Sequence, residues 1–237
     1  MRHANGPATV GQFRVTGEGG QTPLVSLDPA VDAPGFEPPS GALTWRGGGK
    51  RLFDLLASLA LAPVVLPIIA AASAAILITM GRPVFFRQVR LGLAGRPFMI
   101  LKLRTMRAGE TRAQLATAMG DQRVTPTGRW LRRFHIDELP QLWNVLVGDM
   151  SLVGPRPEQP TLAEAYARAV PAFALRTLMR PGITGLAQVS AGYAADLAET
   201  RLKLAHDLHY VKHCSFGLDA EICVRTVRAL LSGVGTR

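Results

Sequence analysis

From Leu55 to Met80 the chain carries no charged side chain. A helix that spans a bilayer needs about 20 apolar residues, so this run is long enough to leave water. Two prolines, Pro63 and Pro67, sit inside it. A proline in a helix interior removes a backbone hydrogen bond and kinks the chain. The flanks constrain the run further. Arg46, Lys50 and Arg51 precede it, and Arg82, Arg87, Arg90 and Arg96 follow it. Basic residues favour the cytoplasmic side of a membrane, and here both ends claim that side. A straight span satisfies one end only. A re-entrant hairpin broken near Pro67 satisfies both, with halves Leu55–Leu66 and Ile68–Met80 each about 18–20 Å long at 1.5 Å per residue. The alternatives are a kinked single span and a buried core helix.

Around this run the expected division is a tail over 1–44, a hinge and re-entrant membrane helix over 45–80, and a domain over 81–237 that the flanking charges put on the cytosolic face. The tail is rich in Gly, Pro, Thr and Asp, with isolated apolar residues. It predicts a disordered N-terminal segment and lacks the apolar core of a secretory signal.

The remainder excludes several classes of protein. Of 237 residues, 48% are apolar and 6% aromatic, which calls for an aliphatic core and rules out wholesale disorder. Two cysteines, Cys214 and Cys223, cannot staple a secreted scaffold, and a reducing compartment fits best. A net charge of +10 points to an anionic partner: a phosphorylated ligand, acidic lipid or nucleic acid.

Val84-Phe85-Phe86 and Phe98-Met99-Ile100-Leu101 read as two strands. Gly92 and Gly95 mark the turn, so a short β-hairpin is expected. Beyond Arg129 helices dominate. Trp130, Leu131, Phe134, Leu139, Leu142, Trp143 and Leu146 recur at helical intervals among Arg129, Arg132 and Arg133. Ile222, Val227, Leu230 and Leu231 repeat the pattern with Arg225 and Arg228. Such basic amphipathic helices suit a lipid interface or face a protein core. The expected fold class is therefore mainly α with a small β-hairpin. The setting is a monotopic membrane protein with a re-entrant helix-break-helix and interfacial amphipathic helices.

Asp137 and Glu138 stand in R-R-F-H-I-D-E-L-P-Q. An Asp-Glu pair ahead of a proline commonly starts a helix. It also has chemical potential. Asp, with an ordinary pKa of about 3.9, is ionised at neutral pH and can attack phosphorus without a general base. A neighbouring carboxylate can hold Mg²⁺, which bridges and neutralises phosphate oxygens. Gly154-Pro155-Arg156-Pro157 stiffens the backbone around one arginine, and Arg180 begins a second rigid turn, R-P-G-I-T-G. An arginine so held suits bidentate phosphate recognition. Lys102 and Arg104 add two cations. His206, His209 and His213 share a helical face, which fits solvated or packed imidazoles better than a metal site.

Taken together, these stretches resemble the bacterial sugar transferases, the monotopic polyprenyl-phosphate phosphoglycosyl transferases. The likeness runs through K-R-L-F-D at Lys50–Asp54, G-R-P-V-F-F-R-Q-V-R-L-G at Gly81–Gly92 and K-L-R-T-M at Lys102–Met106. It is strongest over Asp137–Pro157 and in R-P-G-I-T-G-L-A-Q-V at Arg180–Val189. It implies transfer of a phosphosugar from a UDP-sugar to a membrane polyprenyl phosphate, with release of UMP, as the first membrane step of an exopolysaccharide, O-antigen or related glycan. The resemblance puts the nucleophile on Asp137 and the Mg²⁺-associated carboxylate on Glu138. It puts phosphate or uridine binding on Lys102, Arg104, Arg156 and Arg180, and the membrane break at Pro67. It implies a compact form without a multi-span N-terminal region, at the bacterial inner membrane, with the catalytic domain facing the cytoplasm and no nucleic acid partner. The chain departs from the family pattern at His135 for Ser, at Leu186 for Trp in Gly-Trp-Ala-Gln, at Ser190-Ala191-Gly192 for Asn-Gly-Arg, and at Leu66 for Ser before the membrane proline. The competing expectation is a non-catalytic, membrane-attached basic protein that holds acidic lipid or nucleic acid and weakens steeply with salt.

Overall fold

The computed structural model describes residues 16–17, 20–21, 45–107, 121, 123–190 and 197–232. Of the tail, only a two-rung antiparallel pair, Thr16–Gly17 with Gly20–Gln21, is described.

The dominant element is helix α1, Lys50–Met80, entered through a π-helical turn at Trp45–Gly49. Both prolines lie inside α1 and the helix is unbroken. The helix-break-helix expected at Pro67 is thus corrected in its local form: the backbone stays helical on both sides of the proline and through it. The physical reason is economical. Each proline deletes one N–H, which orphans only the carbonyls of Leu59 and Pro63, while the other bonds of the ladder persist.

The buried positions of α1 are Lys50, Asp54, Ser58, Val65, Ala72 and Ile76. At 100° per residue they fall within an arc of about 80°, so one narrow stripe faces protein along the whole helix. Away from that stripe much of α1 is exposed and apolar, as at Leu59, Val64, Leu66 and Ile78.

Both ends of α1 dock on the same body. At the start, Arg51 donates to the carbonyls of Val145 and Leu146, and Lys50 pairs with Asp219 at 2.7 Å. At the end, Ala72 and Ile76 pack with Leu103 and Leu131, and Thr127 donates to Thr79 at 3.1 Å. A straight helix of this length would separate its ends by about 46 Å.

After α1 come β1, Phe85–Leu91, and β2, Pro97–Leu103, paired antiparallel with Phe86 opposite Lys102 and Gln88 opposite Ile100. The hairpin is where the turn glycines put it, but its strands are longer than the two apolar runs, and β2 takes in Lys102. The apolar series beyond Arg129 splits. Pro126–Arg133 is α2, Ile136–Glu138 a 3-10 turn and Gln141–Val147 α3. Thr125 caps α2 by accepting from the Gly128 N–H at 3.0 Å.

Strand β3, Ser151–Val153, pairs in parallel with β4, Gly182–Thr184. Between them lie α4, Pro160–Ala169, and a 3-10 segment, Pro171–Leu178. Helices α5, Leu186–Ser190, α6, Leu197–His213, and α7, Phe216–Ser232, are the last of the described elements. The core is several small clusters. Val153, Met179, Tyr210, Val211, Cys214 and Ile222 form one around β3, and Ile100, Val145 and Met150 form another between β2 and α3. On α7 the expected stripe divides: Ile222 is buried, whereas Val227 and Leu230 face out.

Candidate active site

Four elements bring Lys102, Asp137, Glu138 and Arg156 together. Strand β2 presents Lys102. The chain leaves α2 and reverses at His135, which adopts a left-handed conformation (φ 54°). Histidine is among the residues that tolerate that region. The following 3-10 turn holds Asp137 and Glu138 just ahead of α3. Asn144 locks α3 to β2. Its Oδ1 accepts from the Leu101 N–H at 3.0 Å, and its Nδ2 donates to the Met99 carbonyl at 2.8 Å. Strand β3 delivers Gly154-Pro155-Arg156. Here backbones approach so closely that a Cβ on Gly182 would stand 2.1 Å from the Gly154 nitrogen. Only glycine fits at that crossing.

The centre is an ion triad. Glu138 Oε1 accepts from Lys102 Nζ at 2.8 Å and from Arg156 Nη2, and Oε2 accepts from Arg156 Nη1 at 3.1 Å. Burial alone would push the Glu138 carboxyl up, but Arg156 and Lys102 prevail and hold it well below the usual range. Burial pulls Lys102 down from its ordinary value, with Glu138 opposing.

Asp137 is different. It is 8% exposed, and no hydrogen bond from a described residue reaches its carboxylate. Burial first, then the charge of Glu138, raise its pKa against the pull of Lys102, Arg132 and Arg156. A raised pKa makes a carboxylate more basic and a better nucleophile once ionised. One carboxylate is thus held as a charged anchor and its neighbour is left unengaged inside a cationic surround.

Two predicted residues lie apart from this triad. Arg104 donates to the carbonyls of Met80 and Gly81, both at 2.6 Å, and of Arg82 at 3.1 Å. It closes the C-terminal end of α1, where a cation suits the helix dipole. Arg180 is exposed and donates from Nε to the Gly148 carbonyl at 2.9 Å. Neither forms an ion pair with Asp137 or Glu138.

Three further arginines, which sequence reasoning does not single out, surround the site. Arg132 is held by Thr105, Nε to Oγ1 at 2.9 Å, and its charge acts on Asp137. Arg90 contacts the Pro157 carbonyl at 3.2 Å, and Arg176 the Arg156 carbonyl at 2.9 Å. Arg90 was recoverable. Strand alternation sets it and Gln88 on one hairpin face with Ile100 and Lys102. Arg176 left no such signal.

Among the described residues no group of three His, Cys, Asp or Glu side chains could hold a metal. His209 and His213 stack at 4.3 Å between ring centroids, and both lie on exposed helix surface. The donors at the dyad are hard carboxylate oxygens, the type that Mg²⁺ takes when substrate phosphates and water supply the rest. They fit that ion, with Asp137 unengaged and Glu138 sharing its oxygens with Lys102 and Arg156.

The family profile described as bacterial sugar transferase matches residues 45–233. The UDP-N-acetylgalactosamine-undecaprenyl-phosphate N-acetylgalactosaminephosphotransferase of Aeromonas hydrophila is 45% identical over 190 residues, 79% of this chain and 45% of that protein. The UDP-glucose:undecaprenyl-phosphate glucose-1-phosphate transferase of Caulobacter vibrioides is 43% identical over 208 residues, 82% of this chain and 78% of that protein. An uncharacterized sugar transferase of Bacillus subtilis is 44% identical over 191 residues and is covered to 89%. The chain therefore spans less than half of the Aeromonas relative and most of the other two.

Proposed function

This chain belongs to the bacterial sugar transferase family, and from that premise we propose that it transfers a sugar phosphate from a UDP-sugar to a polyprenyl phosphate in exopolysaccharide or related glycan assembly. The two relatives above carry different sugars in their names. What they share is a nucleotide diphosphate donor and a lipid phosphate acceptor, both anionic, and both suited to the cations around Glu138.

The observation that carries the reading is the contrast between the two carboxylates. Asp137 has no donor among the described residues to blunt it, and Glu138 holds Lys102 and Arg156 in place. In the proposed reaction an Asp137 oxygen attacks the phosphorus that bears the sugar. The Asp137 O–P bond forms, the bond to the bridging oxygen breaks, and UMP leaves with that oxygen and its electron pair. An oxygen of the polyprenyl phosphate then attacks the same phosphorus and expels the carboxylate, giving a lipid diphosphate sugar. The covalent route brings one anionic substrate at a time into the site. Arg156, fixed between two prolines, offers a planar fork to phosphate oxygens, and Lys102 offers a point charge. Mg²⁺, held through Glu138, would supply further neutralisation of phosphate charge.

The acceptor lives in a membrane, and α1 supplies the anchor: among the described residues it is the one helix long and apolar enough to cross a bilayer. Several features support re-entry on the cytoplasmic face. Both ends of α1 carry basic residues and dock on one body. Pro63 and Pro67 lie about opposite Val65 around the helix axis. Relief of a proline clash opens the helix on the proline side, so the bend closes toward Val65, which is buried although Val64 and Leu66 beside it are exposed. Outward-facing Trp130, Phe134 and Trp143 suit the lipid headgroup layer.

The test is chemical. The purified chain is incubated with a UDP-sugar and Mg²⁺, without acceptor, and digested. One sugar-phosphate mass should appear on the peptide holding Asp137 and be absent in Asp137→Asn. An unmodified peptide from a preparation that turns over fully once polyprenyl phosphate is added would refute the covalent route.

A further inference from the structure

We infer that Arg176 is a positioning residue for Arg156, a buried guanidinium that fixes the Pro-Arg-Pro turn so that the Arg156 fork meets phosphate oxygens. The inference rests on the reading of Arg156 as a phosphate-binding group.

Arg176 lies in the 3-10 segment, 20 residues beyond Arg156 in sequence. Its Nη2 donates to the Arg156 carbonyl at 2.9 Å. The same nitrogen stands 2.6 Å from Asp207 Oδ2 on α6, and Nη1 stands 3.6 Å from Glu158 Oε1. The guanidinium lies over the Phe173 ring, 4.7 Å from its centroid. From the hairpin side, Arg90 Nη1 donates to the Pro157 carbonyl at 3.2 Å and lies 3.8 Å from Glu158 Oε2.

Two successive carbonyls of the turn, those of Arg156 and Pro157, are therefore each held by a different arginine, and both arginines share Glu158. Pro155 and Pro157 fix φ on either side of Arg156. With its carbonyl tied as well, the Arg156 backbone keeps little freedom, and its side chain leaves a fixed Cα toward Glu138. Packing alone does not need such an arrangement. Buried charges cost desolvation, and apolar side chains of similar volume would join α6 to the 3-10 segment at least as well. What the ion cluster adds is direction: a donor aimed at one carbonyl.

A double-mutant cycle on the full chain in nanodiscs tests this, with UMP release from UDP-sugar and polyprenyl phosphate as the readout. Arg176→Lys keeps the charge but has no planar fork to serve Asp207 and the carbonyl together. It should lower kcat about tenfold with little change in melting temperature. In an Arg156→Ala background the same substitution should change kcat less than about twofold, because the group it positions is gone. Losses that simply multiply, or an Arg176→Lys protein with wild-type turnover, would overturn the positioning role. If Arg176→Lys does not fold, Asp207→Asn takes its place in the cycle, with the same loss expected and the same results overturning the role. A wild-type chain that releases no UMP from any UDP-sugar, or an Arg156→Ala protein with full turnover, would instead overturn the reading of Arg156, and the inference with it.

Discussion

The carboxylate of Asp54 accepts a hydrogen bond from the hydroxyl of Ser151 at 3.0 Å, across 97 residues of sequence. The same Oδ1 accepts from the Leu152 N–H at 3.0 Å. The root of the apolar helix and the strand that leads to Gly154-Pro155-Arg156 are therefore one unit. Asp54→Ala would leave the Leu152 N–H without its acceptor and the buried Ser151 hydroxyl with the Val153 carbonyl alone, at 3.0 Å. It should cost about 1–3 kcal/mol in thermal or denaturant unfolding. A loss under about 0.5 kcal/mol, the scale of an ordinary surface change, would show that the contact does not join the two parts.

Gly182 and Gly48 make a contrasting pair. A Cβ on Gly182 would stand 2.1 Å from one backbone nitrogen and 2.3 Å from the Thr184 carbonyl oxygen, whereas a Cβ on Gly48 would meet nothing within 4 Å. Gly182→Ala must push β3 from β4 and should destabilise by more than about 3 kcal/mol. Gly48→Ala should stay within about ±0.5 kcal/mol. Equal melting temperatures for the two variants would contradict the close strand crossing.

The pH dependence should belong to Asp137. Its pKa is raised by burial and by Glu138, whereas Glu138 remains ionised far below the ordinary range. In the proposed reaction attack requires the ionised form, so kcat/KM should fall with decreasing pH through a limb lying above the ordinary Asp value of about 3.9. Glu138→Gln removes one of the raising influences, so it should slow the enzyme and move that limb to lower pH. A limb that stays in place in Glu138→Gln would mean that another group titrates.

Arg156→Ala should separate catalysis from stability. Its fork on Glu138 is partly solvent-exposed, so losing it should change stability by about 1 kcal/mol or less. Loss of a phosphate-stabilising cation should lower turnover by about 100-fold or more. Near-normal UMP release from the purified variant would remove Arg156 from the phosphate site.

Topology is accessible through single cysteines at Gly48 and Arg96, in a background where Cys214 and Cys223 are replaced by alanine. Both should resist a membrane-impermeant thiol reagent in intact cells and react after lysis. Labelling of one position in intact cells would establish a crossing helix and exclude re-entry.

Much of this protein is written locally. A run from Leu55 to Met80 without charge has to leave water wherever it is placed. Turn glycines at 92 and 95 set the hairpin, and the order of residues from Asp137 to Pro157 marks the dyad and its arginine. These features depend on neighbours a few residues apart, so sequence determines them. The partner of each charged group does not. Lys102 and Arg104 lie two residues apart on similar terms in the sequence, yet one pairs with Glu138 and the other closes the end of α1. Arg156 and Arg180 look alike beside their prolines, yet only Arg156 meets the dyad. An arginine's guanidinium goes to whichever acceptor the folded backbone carries within its reach, and those acceptors come from segments up to a hundred residues away. The tertiary structure alone chose them, and with that choice it made Glu138 the anchored carboxylate and Asp137 the open one.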